Sequence, residues 1–400
     1  MAQAAKKRIL FVDDEPNVLS GLKRMLRGMR REWDMVFVES GPEALAQLNT
    51  IPFDVIVSDM KMPGMDGVQL LEQAMKEHPE VVRIVLSGHS EKETVLKSVR
   101  VAQQYLSKPC DPETLKLTID RACALRDILI NDSLKRVVSS IESLPSLPEL
   151  YQEILEELQS DEPSIQKIGS IIEKDVAMTA KILQLVNSAF FGLPRHISSP
   201  QQAVTLLGIE TTKALVLSVK VFSEFHNKKI PRKFLDALWS HSIATGKIVR
   251  EIVKVENVEK GLADESYMAA LLHDVGKLVL AASFPEGYGQ IIKESNSEQV
   301  PIRIKELERF NTTHAEVGAY LMGVWGLPDA IVEALAFHHR PAECPVGRFA
   351  PLTAIHVASA LEHLFNAKNQ IDYSGEMDRR HLERLGLAER LELWERLSME

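Results

Sequence analysis

The chain is poor in cysteine: Cys110, Cys123 and Cys344 lie far apart, are odd in number and form no C-x-x-C pair. That excludes a disulfide framework and a cysteine zinc site, and it fits a reducing cytoplasm. No apolar run approaches the roughly twenty residues that a transmembrane helix needs, so no membrane insertion is expected. Met1 to Arg8 lead into a short strand instead of a longer apolar core, so no signal peptide is expected either. A basic excess is missing as well. The formal net charge is −9, and the basic runs are as short as Lys6-Lys7-Arg8 and Lys228-Lys229. Direct DNA binding usually leaves a basic footprint, and none is present.

At 400 residues the chain exceeds what one hydrophobic core usually supports, so two or three domains are expected. In the first 110 residues, short hydrophobic runs hand over to residues that carry chemistry. Arg8 to Val12 runs into Asp13-Asp14, and Asp54 to Ser58 runs into Asp59. Arg83 to Leu86 runs into Ser87, and Gln104 to Ser107 into Lys108-Pro109; only Met35 to Val38 ends without such a group. Helical patterns over 16–29, 41–49, 66–77, 91–101 and 111–124 alternate with these runs. That rhythm predicts a doubly wound parallel sheet of five strands. Ligands bind such sheets at the carboxyl ends of the strands. Hard carboxylate oxygens there suit Mg²⁺, and the cation, Lys108 and Ser87 together could neutralise a phosphoryl group moving onto a carboxylate. Gly64 and Gly67 keep the backbone beside Asp59 open.

A lone aspartate at a strand end is usually a turn or cap residue. The full set in this order resembles the receiver domain of two-component response regulators, over roughly residues 7 to 125. The resemblance implies that Asp59 accepts phosphate from a sensor histidine kinase. It implies that Asp14 binds Mg²⁺ directly, Asp13 acts largely through water, and Asp59 and the Lys61 backbone carbonyl complete the site. Ser87 would draw towards the phosphoryl group, Tyr105 would be the switch aromatic, and Lys61 and His89 would tune the lifetime of the phosphoaspartate.

Beyond Lys108 the periodicity is helical. Leu115, Ile119, Ala122, Leu125 and Leu129, then Leu134, Val137, Val138 and Ile141, recur at helical steps. They predict a helix leaving the first domain, read as a linker in preference to a dimerising coil because the stripe is short. Helical stretches follow at 201–221, 233–253, 262–281, 313–324, 328–338, 351–366 and 380–398, with Pro285-Glu286-Gly287 among the punctuation. His241, His273-Asp274, His314 and His338-His339 lie at positions compatible with helices. Imidazole and carboxylate suit first-row divalent metals, and a bridging aspartate can hold two of them for phosphoester hydrolysis.

This region resembles the HD superfamily, and within it the HDOD branch, from about 141 to 340. The carrying residues include Leu144 to Pro148, Asp175 to Thr179, Leu185 to Phe190, Ala203 to Gly208, Leu271 to Lys277, His314 to Gly318, Trp325 to Pro328 and His338 to Pro341. The branch is a signalling output without an established catalytic activity. The Gly-Tyr-Pro motif of cyclic-di-GMP phosphodiesterase relatives is absent, since that stretch reads Pro341-Ala342-Glu343-Cys344-Pro345. The late aspartate of catalytic families is replaced by Ser359, and Ala237 stands where some relatives place a glutamate.

The expected organisation is α/β plus all-α: a receiver domain over 1–124, a helical linker over 125–140, an all-helical HDOD domain over 141–340 and its helical extension over 341–400. The expected function is a response regulator whose helical output binds a downstream signalling protein, without binding DNA. The alternative is a phosphorylation-controlled, metal-dependent phosphodiesterase acting on a nucleotide. A residual divalent transition metal in the histidine site, and a homodimer through the linker, stay open at this point.

Overall fold

The computed structural model describes residues 6–88, 101–126, 138, 145–146, 148–160, 162–187, 197–213, 223–224, 232–345, 347–365 and 377–398. His89, the helix expected at 91–101 and most of the linker at 125–140 lie outside the described residues. The chain forms two compact units, the first made mainly of Met1–Glu142 and the second of most of the remainder.

In the first unit, strands β1 (Lys7–Val12), β2 (Trp33–Val38), β3 (Val55–Asp59), β4 (Val82–Gly88) and β5 (Gln104–Lys108) form one parallel sheet in the order β2-β1-β3-β4-β5. Helices α1 (Pro16–Met25), α2 (Gly41–Thr50), α3 (Gly67–Glu77) and α4 (Pro112–Arg126) connect or follow the strands. β3 is buried along its whole length, as its unbroken apolar run requires in a sheet covered on both faces. Leu10, Ile56 and Val85 from the sheet pack with Leu70, Leu71 and Ala74 of α3.

The helix expected at 16–29 ends at Met25, and a 3-10 turn follows at Arg27–Arg31. α3 opens on a capping box, with Asp66 accepting from the Gln69 amide and Gln69 accepting from the Asp66 amide. Gly67 sits hard against β3: a Cβ there would lie 2.1 Å from the Asp59 carbonyl oxygen. Only a residue without a side chain lets α3 start so close to the end of that strand.

The second unit is almost wholly helical. Its helices are α5 (Pro148–Gln159), α6 (Ile165–Glu173), α7 (Val176–Val186), α8 (Pro200–Lys213), α9 (Arg232–Val255), α10 (Lys260–Leu272), α11 (Val275–Ser283) and α12 (Pro285–Glu298). They are followed by α13 (Ile302–Phe310), α14 (His314–Val324), α15 (Asp329–Phe337), α16 (Pro351–Phe365), α17 (Arg379–Arg384) and α18 (Leu391–Ser398). Helices α9, α10 and α16 pack on one another, α15 packs on α10 and α16, and Leu271, Leu335 and Ile355 of these helices are buried.

Four expectations change here. The stretch 262–281 is two helices, because the chain leaves helical geometry at Asp274 (φ −99°, ψ 8°). Two helices that the periodicity did not reveal, α12 and α13, follow the boundary at Pro285, whose missing N–H is harmless in the first turn. α8 kinks at Gly208, whose φ of 75° is left-handed, and residues 214–221 of that stretch lie outside the described residues. The stretch 380–398 is interrupted at Gly386, where φ is +69°.

Candidate functional site

The strand-end residues of the first unit converge as the parallel register demands. Val12 is paired with Ser58, Asp59 with Leu86, and Gly88 with Lys108, so Asp13, Asp59, Ser87 and Lys108 reach one edge. Lys108 Nζ lies 2.7 Å from Asp13 Oδ2 and also ion-pairs with Asp59 Oδ1. The other Asp59 oxygen accepts from the Lys61 amide at 2.7 Å, and Asp13 Oδ1 accepts from the Glu15 amide at 3.0 Å.

Burial raises the Asp59 carboxyl above the usual carboxylate range, against the pull of Lys108. Burial works against the Lys108 ammonium, yet the two carboxylates hold it above its ordinary value. Asp14 is half-buried and lines an open recess with Met60, Lys61, Met62 and Asp66. Ser87 is fully buried at its strand end. The Tyr105 ring is buried as well, its hydroxyl 3.4 Å from the Ala102 carbonyl. A donor set made only of oxygens, sharing one ammonium between two of its carboxylates, fits a hard divalent cation.

The histidines of the second unit meet around Asp274. His241 comes from the middle of α9, His273-Asp274 from the α10–α11 break, His314 from the start of α14, and His338-His339 from the end of α15. One group comprises Asp274, His314, His338 and His339; a second comprises His241, His273 and Asp274, so the aspartate belongs to both. Gly276 allows the meeting, since a Cβ there would lie 1.9 Å from the His314 carbonyl oxygen.

The Nε2 atoms of His314, His273, His338 and His241 lie 3.3, 3.6, 3.8 and 3.9 Å from an Asp274 oxygen. Each of these imidazoles has its Nδ1 against an acceptor: Glu306 at 2.7 Å, the Ala270 carbonyl at 2.7 Å, the Leu335 carbonyl at 2.8 Å and Glu362 at 2.5 Å, respectively. In the neutral ring, an Nδ1 facing an acceptor carries the proton, which leaves Nε2 as a lone pair. Several lone pairs then face one carboxylate, and two Nε2–Nε2 contacts occur, His241 to His273 at 3.1 Å and His314 to His339 at 2.9 Å. Such a cluster needs either extra protons or a cation at its centre. Spacings near 3.4 Å are about those of two ligands sharing a metal at bond lengths of about 2.1 Å.

Lys277 supplies part of the positive charge, at 2.8 Å from Asp274 Oδ2. Although burial opposes it, Lys277 first and the imidazoles after it hold the Asp274 carboxyl well below its ordinary value. Burial also disfavours charging His314, but Glu306 prevails and lifts it to about 9. Burial presses His273 down to about 4. Two buried atoms, Asp274 Oδ1 and His338 Nε2, lack a hydrogen bond of good geometry. An orphaned oxygen beside an orphaned nitrogen, within a ring of lone pairs, fits a divalent metal of the first row.

All six sequence-predicted histidine-site residues are therefore brought together. Ser359 also faces the site, with Oγ 3.4 Å from His241 Nε2. Sequence reasoning missed Glu306, Glu362 and His363. Glu362 and His363 lie one helical turn beyond Ser359 on the same face, a spacing that could have pointed to them. Glu306 sits on α13, a helix that the periodicity did not reveal.

Residues 9–120 match the family model of the response regulator receiver domain, and residues 144–341 match that of the HDOD domain. An uncharacterized protein of Treponema pallidum is 28% identical over 232 residues, covering 57% of this chain and 44% of that protein. The hydrogenase transcriptional regulatory protein HoxA of Cupriavidus necator is 38% identical over 116 residues, 28% of this chain and 23% of its own. The DNA-binding transcriptional regulator NtrC of Klebsiella pneumoniae is 37% identical over 113 residues, 28% of this chain and 24% of its own. The chain thus spans less than half the length of each of these relatives. A crystal structure of the MmoQ response regulator from Methylococcus capsulatus is 24% identical, with a TM-score of 0.48, covering 63% of this chain and 98% of that one. No described helix is long and apolar enough to cross a membrane. The chain joins a response regulator receiver domain to an HDOD domain.

Proposed function

We propose that the protein is a phosphorylation-dependent response regulator in which Asp59 takes a phosphoryl group from a sensor histidine kinase. The observation that carries this is Lys108 bridging the carboxylates of Asp13 and Asp59 at the common edge of β1, β3 and β5. Asp13, Asp14, Asp59 and the Lys61 carbonyl would hold Mg²⁺, which supplies charge for the equatorial phosphoryl oxygens. An Asp59 oxygen attacks phosphorus, the kinase imidazole leaves, and Lys108 exchanges its contact with the carboxylate for one with the incoming phosphoryl oxygens. Ser87, next to the register partner of Asp59, takes another of those oxygens. Tyr105 is the aromatic whose packing reports the change.

The helical domain acts by binding a downstream protein and does not cut a nucleotide. His273, Asp274, His314 and His338 are at most 2% exposed, while His241 and His339 are the part-exposed members of the group, and this depth favours a held cation over access for a phosphodiester. The group suits a held cation, with His241, His273, Asp274, His314, His338 and His339 as its ligands, and that cation would tie α9, α10, α14 and α15 together.

Incubation with acetyl phosphate and Mg²⁺ should add one acid-labile phosphate, read as a mass increase on the intact protein. Asp59→Asn should abolish the increase. Labelling that persists in that variant would overturn the assignment. Turnover of cyclic di-GMP by the purified protein, lost on Asp274→Ala, would replace the binding output with a catalytic one.

A further inference from the structure

We propose that Glu306 and Glu362 are the positioning residues of the histidine core, each fixing the tautomer of one imidazole so that its Nε2 lone pair faces Asp274. The inference rests on the reading of that core as a cation site, and adds which residues outside the ligand set make it one.

Four imidazoles carry their Nδ1 proton towards an acceptor, but the acceptors are of two kinds. Ala270 and Leu335 lie three residues before His273 and His338, and they offer backbone carbonyls from the preceding helical turn. Any histidine at a helix end can find such a partner, so these two contacts are not specific to a site. Glu306 and Glu362 are different. Each is a carboxylate carried in from another helix, α13 for His314 and α16 for His241. Each serves one of the two groups that share Asp274.

Both carboxylates are themselves held. Glu306 is wholly buried; one oxygen accepts from the Tyr288 hydroxyl at 2.6 Å, the other from the His314 amide at 2.8 Å and its ring at 2.7 Å. A carboxylate buried this deeply is costly unless it is hydrogen-bonded, and here its bonds are spent on aiming one imidazole. Glu362 lies 3.7 Å from His363 Nδ1, and the His363 ring stacks on the ring of His241 at 4.5 Å with 14° between planes. The same imidazole is thus gripped at its edge and on its face. A carboxylate behind a ligating histidine fixes the ring orientation and raises its basicity, and losing one typically lowers metal affinity by about 10–100-fold.

The test has two readouts, neither of which is activity. In the full-length ¹⁵N-labelled protein without metal, at a pH above about 9 where His314 is neutral, two-bond proton–nitrogen correlations should show Nδ1–H forms for His241 and His314. Zn²⁺ affinity, measured by competition with a chromophoric chelator, should fall about 10–100-fold in Glu306→Leu and in Glu362→Leu. Glu306→Gln and Glu362→Gln keep an acceptor oxygen and should preserve the tautomer while losing less affinity. Where a leucine variant fails to fold, the glutamine variant decides. Nε2–H forms at His241 and His314 in the parent protein, or variants that bind Zn²⁺ as tightly as the parent, would overturn the positioning roles alone. A parent protein that takes up neither Zn²⁺, Mn²⁺ nor Co²⁺ would overturn the cation reading beneath them.

Discussion

The two sites hold similar amounts of charge in opposite surroundings. In the receiver, carboxylates stand at the rim of a sheet, the Lys108 side chain that pairs them is 24% exposed, and Asp14 borders an open recess. In the helical domain, Asp274, Lys277 and the imidazoles of His273, His314 and His338 lie inside a core, with His314 wholly buried. A rim site can admit a phosphoryl donor and water, and can change its charge in each cycle. An interior site cannot do so cheaply, because each added charge there must be matched by a proton or a cation. The comparison teaches that burial, more than residue type, separates a site open to a donor from one closed around its own charges.

The sharpest way to break the comparison uses one glycine at each site. Gly67→Ala and Gly276→Ala both drive a Cβ into backbone, against the carbonyls of Asp59 and His314. Each should destabilise its own domain by about 3 kcal/mol, the upper end of ordinary overpacking. Urea unfolding followed separately for the two domains would show it, with Gly276→Ala leaving the acid-labile phosphate on Asp59 intact. Loss of phosphorylation in Gly276→Ala would mean that the two sites are not independent.

Cations should then divide the domains. Zn²⁺ at a hundred times its dissociation constant should stabilise the helical domain by about 2.7 kcal/mol, and chelation should remove that increment. Mg²⁺ should act on the oxygen set of the receiver instead. Equal effects of both ions on both domains would erase the contrast in donor chemistry.

The smallest effect concerns His381, buried in α17 with Nε2 3.0 Å from the Thr353 hydroxyl. Burial first, then the positive neighbours His356 and Arg384, press its pKa from 6.5 down to about 4. The unfolded chain therefore binds the proton more readily. Stability from this group is complete above the unfolded value of 6.5 and is lost as pH falls towards about 4. Between pH 6.5 and about 5.5 the helical domain should lose about 1 kcal/mol, and His381→Gln should remove that part of the slope. An unchanged slope in the variant would place the acid sensitivity elsewhere.

Much of the receiver was legible in the chain because a parallel sheet gathers the ends of successive strands at one edge. Asp13, Asp59, Ser87 and Lys108 follow their strands directly, so element order alone brings them together. The helical domain was legible only in part. Its histidines stood out as residue types, but helical periodicity ran straight through His273-Asp274, where the chain breaks. Only its spacing from Ser359 marks Glu362, which lies 121 residues beyond its partner His241, and Glu306 lies on a helix whose apolar pattern is weak. Amino-acid order determined that the chain has an edge of carboxylates with an ammonium and a set of imidazoles, because strand ends and ligand types can be read one residue at a time. Tertiary packing alone decided which nitrogen of each imidazole faces Asp274, because a tautomer is set by the acceptor that lies behind the ring.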